Sequence, residues 1–538
     1  MGEDDRFAMS SAVRAAYRSG EEDETLGPRV LFGADGRPVG RIGSGDGVIF
    51  YNIRGEREIE LTRSLTEGGF QPFPVSGSLQ LSFATMIEYD RGLNVRVAFP
   101  SEGIIAGTLS EVIARHNLRQ VKITEAEKAV HVGYFLNGKR SDPFPGEERI
   151  IVPTRKDVAL FDEAPEMSLE AISEAVIRKI HEPSCRFIFV NFPNVDVVGH
   201  IENEGAIVRA VEAVDRSAGL VIDEALREGL SVIVTADHGT VEKWLYPDGA
   251  IDTGHTDSPV PFVLICQDGG AMTLRRDGEL IDVAPTVLAL LGLPKPGSMT
   301  GRSLIEGAWG GVVQNDCRVL LLILDGWGER ESDRGNLIAR AGTPTMDRLK
   351  RTYPHTRLAA AGEAVGLPPS TVGNSEAGHL HIGAGRRIYA DRVRIDKAIA
   401  DGSFFSNEAF LRVMEAVKQA RCSLHLMGIV SFFSSHGALD HLFALMESAR
   451  REGLREVFIH AMLGRRGEQP ESGANYIETI EKHSKDIHLG RVVSVIGRYW
   501  SMDREENWDR IEKTYRMFVY GEGIPVGERR EGHGSQNR

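Results

Sequence analysis

Six short runs of branched and aromatic residues, three of which close on an aspartate or lead directly to one, restrict this chain to few folds. They are RFIFVNF (186–192), SVIVTAD (231–237), PFVLICQ (261–267), RVLLLILDG (318–326), SLHLMGIVS (423–431) and EVFIHAML (456–463). Longer amphipathic stretches separate them, such as GAIVRAVEAVDRSAGLVIDEALREG (205–229) and DVAPTVLALLG (282–292), the latter stopped by GLPKPGS. Apolar runs of strand length alternating with helical patterns indicate an α/β architecture, with strands joined by crossover helices. In open sheets of this kind ligands bind beyond the carboxyl ends of the strands. Asp196, Asp237 and Asp325 all fall there.

At 538 residues the chain exceeds what one hydrophobic core usually supports, which predicts two domains. The segment 305–316, IEGAWGGVVQND, reads as a glycine-rich connector between a helical MTGRSLI and the next strand, and the tail 521–538 reads as a fraying end. A net charge of -14 disfavours nucleic acid and anionic membrane surfaces, but leaves room for a small anionic substrate met by locally focused arginines. Cys185, Cys266, Cys317 and Cys422 form no CxxC pair and read as buried thiols in a reducing compartment. With no basic and apolar leader and no membrane-length apolar run, the expectation is a cytoplasmic protein.

Four stretches carry oxygen and nitrogen ligands enough for two cations and a nucleophile: VDVVGH (Asp196, His200), TADHG (Asp237, His238), DTGHT (His255), and LDGWG with GNSEAGH (Asp325, Ser375). Asp196 and His200 share a face if the chain turns helically between them. Taken alone, they also read as a hydrogen-bonded pair. Asp237 and His238, adjacent at a strand end, diverge and so can serve two neighbouring ions; a capping aspartate beside a stacked histidine is the alternative. Ser375 at a helix start can present its hydroxyl to a phosphate, or Asn374 or Ser375 can be a plain cap. Carboxylates mixed with imidazoles suit Mn²⁺ first, then Zn²⁺ or Mg²⁺.

Together these stretches resemble the cofactor-independent phosphoglycerate mutases of the alkaline phosphatase superfamily. Matching text runs through DGWG, GTPTMDRL, GNSEAGHLHIGAGR, LHLMGIVS, GRYWSMDREENWDRIEKTY, VIFYNIRGERE, AEKAVHV, VDVVGH, TADHG and HTDSPVP. The resemblance implies an alkaline-phosphatase-like domain with a central, mostly parallel sheet, plus a second α/β transferase domain. It implies one manganese on Asp196, His200 and His255 and another on Asp237, His238, Asp325 and Ser375, with Ser375 the nucleophile that becomes phosphoserine. Arg54, Arg57, Lys128, His436, Arg466, Arg498 and Arg504 match the family's substrate-binding positions, suited to forked recognition of phosphate and carboxylate. Glu127 is placed to tune Lys128 or to form a surface pair with it. A monomer that opens and shuts between its domains is also implied.

The order of the motifs differs from the family's. DGWG and the serine motif, which open a family member, here follow VDVVGH and TADHG, as in a circular permutation with 305–316 joining the former ends. The expected layout is a transferase part at 1–98, a contiguous metallophosphatase domain at 99–388, and the remaining transferase part at 389–538. Two loops also depart. LDGRD reads LGRRGE, which keeps Arg466 but replaces the candidate acid/base aspartate with Gly467, with Glu468 next to it. SDGGVHSH reads SFFSSHGA, which keeps His436 and adds Phe432 and Phe433. Loss of acid–base assistance costs roughly 10²–10⁴-fold. The leading expectation is a mutase converting 3-phosphoglycerate to 2-phosphoglycerate, and the second a diverged mutase, transferase or phosphatase for another small phospho- or phosphono-acid. A non-catalytic binding protein is disfavoured, because binding alone does not require a complete ligand set.

Overall fold

In the computed structural model, residues 7–77, 79–266, 272–306, 317–432, 434–464 and 471–527 are described. The chain divides into two compact units, one made of Met1–Ser101 with Arg394–Arg538 and the other of Glu102–Val393. Each has its own hydrophobic core and its own eight-stranded, mostly parallel sheet. Among the described residues no helix is long and apolar enough to cross a membrane.

In the 102–393 unit the strand Val319–Leu324 lies at the centre, between Ser231–Thr235 and Cys185–Phe192, parallel to both. All six of its residues are buried, as an uninterrupted apolar run demands when helices cover both faces. The helix Glu204–Arg227 is one such cover. Asn203 caps it by accepting from Ala206 N, and Ile207, Ala210, Val211, Val214, Ala218, Val221 and Ala225 bury one stripe at helical spacing.

In the other unit, strands from the two ends of the chain interleave. Gly47–Phe50 pairs in parallel with Leu424–Ile429, which pairs with Val457–Leu463, which in turn pairs with Arg491–Gly497.

Several sequence expectations fail. Part of the tail read as fraying, Ile524–Val526, pairs in parallel with Arg29–Leu31. MTGRSLI is not helical: its backbone donors go to side chains, Arg302 N to Asp282 Oδ1 and Leu304 N to Thr286 Oγ1, and Ile305–Glu306 pairs as a strand with Thr273–Leu274. Those non-local acceptors outcompete a short helix that holds a glycine. Residues 307–316 of the expected connector lie outside the described residues. Cys185 and Cys266 are buried, whereas Cys317 and Cys422 are only half-buried.

Candidate metal centre

Three neighbouring parallel strands each deliver one carboxylate. Asp325 directly follows Val319–Leu324, Asp237 lies two residues beyond Ser231–Thr235, and Asp196 sits in the helix Asn194–Gly199 that follows Cys185–Phe192. Main-chain bonds tie the strand ends together: Asp325 N donates to Phe192 O and Asp196 N to Asp325 O, both at 3.1 Å. Gly326 makes this closeness feasible. Its φ is +82°, and a Cβ there would lie 2.8 Å from Asp196 Cα.

The helix Ser375–Ala384 brings the nucleophile candidate. Asn374, not Ser375, caps it, with Oδ1 accepting from Ala377 N at 2.8 Å, so the serine hydroxyl is left for other partners. Ser375 Oγ lies 2.6 Å from Lys128 Nζ, 2.9 Å from His238 Nε2 and 3.3 Å from Asp325 Oδ1. The helix can approach this closely because residue 378 is glycine; a Cβ there would meet Asp237 O at 2.5 Å. Lys128, grouped by the sequence with the substrate arginines, stands inside the cluster, bonded to Asp196 Oδ2 at 2.7 Å and Asp325 Oδ1 at 2.8 Å. Glu127 is exposed and takes a bond from Thr154 rather than acting on Lys128.

His200, His238 and His255 follow one pattern. In each, Nδ1 faces a main-chain carbonyl: Thr253 O at 2.7 Å, Gly239 O at 3.2 Å and Gly373 O at 3.0 Å, respectively. An Nδ1–H donated to a carbonyl leaves Nε2 with its lone pair, the usual support of a metal-ligating imidazole. Those Nε2 atoms converge, with His200 and His255 3.2 Å apart and 3.3 and 3.1 Å from Asp196 Oδ1. His238 Nε2 stands between the two sets, 3.7 Å from Asp196 Oδ1, 3.6 Å from Asp237 Oδ2 and 3.5 Å from Asp325 Oδ1. Asp237 Oδ2 is buried with no hydrogen-bond donor. An orphaned carboxylate oxygen beside convergent lone pairs is costly unless a cation takes it up. The residues therefore fit divalent cations, with hard oxygen and imidazole donors.

The electrostatics agree. Three carboxylates surround one ammonium, an excess of negative charge that draws in protons when no other cation is present. Burial pulls the Lys128 ammonium down, but Asp325, Asp196 and Asp237 more than offset it and hold its pKa above the usual lysine value. Burial also disfavours charge on His238, yet Asp237, Asp196 and Asp325 raise it to about 10. For Asp196, burial opposes ionisation, but Lys128 and His238 keep the carboxyl well below its ordinary range. A proton on His238 and a metal ion compete for the same lone pair.

Comparison with known proteins then places the chain. The family model described as "Metalloenzyme superfamily" matches residues 36–295, and that described as "BPG-independent PGAM N-terminus" matches residues 395–532. Residues 36–295 are thus similar to the metalloenzyme superfamily, and residues 395–532 to the N-terminal part of the BPG-independent phosphoglycerate mutases. It is 40% identical over 300 residues to the 2,3-bisphosphoglycerate-independent phosphoglycerate mutase of Syntrophotalea carbinolica, a match covering 56% of this chain and 57% of the relative. It is 42% identical over 295 residues to the enzyme of the same name from Nitratidesulfovibrio vulgaris, covering 55% and 57%. The match thus spans little more than half the length of these relatives. A crystal structure of Leishmania mexicana phosphoglycerate mutase at low cobalt concentration aligns at 29% identity with a TM-score of 0.36, over 51% of this chain and 53% of that one.

The substrate positions implied by the mutase family follow the same strand-end logic in the other unit. Arg54 and Arg57 come after Gly47–Phe50, His436 after Leu424–Ile429, and Arg498 immediately after Arg491–Gly497, with Arg504 beyond it. Arg466, Gly467, Glu468 and Phe433 lie outside the described residues. Glu56 holds both Arg54 and Arg504, each at 3.1 Å, and Arg57 donates to Met502 O at 3.0 Å. Phe432 packs edge-on against Tyr476.

Sequence reasoning on the mutase pattern missed three residues. Glu58 is fully buried, accepts from Asn52 Nδ2 at 2.7 Å and Arg57 N at 3.0 Å, and faces His436 Nδ1 at 3.3 Å. Asn191 and His379 sit behind the candidate ligands, with Asn191 Nδ2 2.7 Å from Asp325 Oδ2 and 3.2 Å from His379 Nε2. The signals were present: an amide inside the apolar run RFIFVNF, and a histidine four residues after Ser375.

Proposed function

We propose that this chain is a phosphoglycerate mutase, moving a phosphoryl group between the 3- and 2-hydroxyls of glycerate through a phosphoserine at Ser375. The observation that carries the reading is the Ser375 hydroxyl, set between Lys128 Nζ at 2.6 Å and His238 Nε2 at 2.9 Å beside three strand-end aspartates. Asp196, His200 and His255 would hold one cation and Asp237, His238, Asp325 and Ser375 the other, with Mn²⁺ the preferred ion. Bound there, two divalent cations would acidify the serine hydroxyl and neutralise the oxygens of the transferred phosphoryl group. The Lys128 ammonium supports the serine oxygen as it gains or loses its bond to phosphorus.

Substrate phosphate and carboxylate fall to Arg54, Arg57, Arg498 and Arg504, and also to Arg466 by resemblance. Proton exchange at the substrate hydroxyl falls to His436: Glu58 at Nδ1 favours the tautomer that leaves Nε2 free to accept a proton. The match of the family's N-terminal model at 395–532, after the metalloenzyme match, supports a permuted order. Free thiols support a reducing cytoplasmic setting, and a monomer is the proposed form.

Purified protein with Mn²⁺ and 3-phosphoglycerate tests the reading, with 2-phosphoglycerate followed by an enolase-coupled assay and free phosphate measured in parallel. Formation of 2-phosphoglycerate at a turnover of about 1 s⁻¹ or faster is expected. Phosphate release without the isomer would overturn it.

A further inference from the structure

Asp237, Asp325 and His379 bring donor atoms within 4.8 Å of one another, so distance alone makes His379 a third ligand. The hydrogen bonds decide otherwise. Asp325 Oδ2 lies 2.7 Å from Asn191 Nδ2, and because a carboxylate oxygen accepts, that amide atom must be the NH₂ group. Thr124 Oγ1, 3.2 Å from Asn191 Oδ1, agrees, since a hydroxyl can donate to the amide oxygen. The same NH₂ faces His379 Nε2 at 3.2 Å, so Nε2 is the acceptor and the ring proton sits on Nδ1. Nδ1–H then donates to Ser375 O at 2.9 Å. Both ring nitrogens are engaged, and Thr124, Asn191 and His379 are fully buried.

His379 shares the tautomer of His200, His238 and His255, whose Nδ1 atoms also lie against carbonyls, but its Nε2 is taken by the Asn191 amide, whereas theirs turn to the cluster. Asp237 Oδ2 is 3.2 Å from His379 Nδ1, yet that N–H is aimed at Ser375 O, and the carboxylate oxygen stays without a donor. We infer that Asn191 and His379 form a bracket that sets Asp325 and the Ser375 helix for cation binding, with His379 a positioning residue and not a ligand. The bracket joins the strands Arg119–Glu125 and Cys185–Phe192 to the end of Val319–Leu324 and the start of Ser375–Ala384. It lets Asp325 turn one oxygen to the amide and the other towards Ser375 Oγ and Lys128.

The inference rests on the metal reading, and the test separates the two. Mn²⁺ affinity by calorimetry and bound metal at saturation are measured for the wild type, Asn191→Leu, His379→Phe, the double variant and His379→Gln. A long-range ¹H–¹⁵N histidine spectrum is recorded on the metal-free wild type. Asn191→Leu and His379→Phe should each weaken Mn²⁺ binding by roughly 10–100-fold with an unchanged number of ions at saturation. The double variant should fall no further than the worse single one, because the two residues act as a unit. His379→Gln, whose side-chain oxygen can accept from Asn191, should recover most of the affinity, and it serves if the phenylalanine variant fails to fold. Loss of one bound ion in His379→Phe, a lowered melting temperature with unchanged affinity, or a ring proton on Nε2 would each overturn the inference. If the wild type binds no Mn²⁺ the metal reading falls, and the ring spectrum still decides the bracket.

Discussion

Both units finish neighbouring parallel strands with charged residues, but they treat those charges differently. In the 102–393 unit the aspartates, Lys128 and His238 are buried and satisfy one another, apart from Asp237 Oδ2. In the other unit the Arg54 and Arg504 side chains remain 54% and 43% exposed and share one carboxylate, Glu56. The first set is organised before any ligand arrives, because low-dielectric surroundings make unpaired charge costly. The second stays half-exposed, and under the proposed function its order would come from the anion it grips. Stability should therefore respond to changes in the first region, and substrate affinity to changes in the second.

The comparison breaks most visibly at Ser375. Ser375→Ala should lower mutase turnover by roughly 10⁴–10⁶-fold in a coupled assay, while leaving the melting temperature near wild type; retained activity would remove the nucleophile. Glu58→Gln should lower kcat by on the order of 10²-fold with little change in KM, since it disturbs the tautomer of His436 rather than binding. An equal rise in KM would return His436 to a binding role. Lys128→Met should destabilise the metal-free protein by about 3–5 kcal/mol in urea unfolding, because buried carboxylates lose their counter-ion, and Mn²⁺ should restore much of the loss. Arg504→Ala should raise KM about 10-fold or more, the scale of a lost charge-assisted bond, and shift stability by less than about 0.5 kcal/mol.

A further effect concerns pH. Burial lowers the His381 imidazole from 6.5 to about 4, so the folded state binds fewer protons than the unfolded state between those values. Its contribution is whole above pH 6.5 and is lost as pH falls towards 4, with a slope of at most about 1.4 kcal/mol per pH unit. His381→Gln should flatten that part of the stability profile; an unchanged slope would assign it to other groups.

Much of the fold was legible because continuous apolar runs such as RVLLLILDG admit few alternatives to a buried strand. The MTGRSLI segment was misread because its decisive acceptors, Asp282 Oδ1 and Thr286 Oγ1, lie about twenty residues away in sequence. The burial of Lys128 was not legible for a related reason. A lysine in AEK carries no local mark of burial, and only the meeting of three strand ends draws it to Asp196, Asp325 and Ser375.

The sequence alone determined which donor types stand at the ends of which apolar runs, and with them a parallel-sheet fold and the expectation of a cation-binding, phosphate-handling chemistry. Tertiary structure alone decided which nitrogen of each histidine keeps its lone pair, why Asn374 rather than Ser375 caps the helix, and where Lys128 goes. The physical reason is range. Strand formation follows from contiguous side chains, whereas tautomers and buried ion pairs depend on acceptors supplied by distant segments and on the dielectric those segments create together.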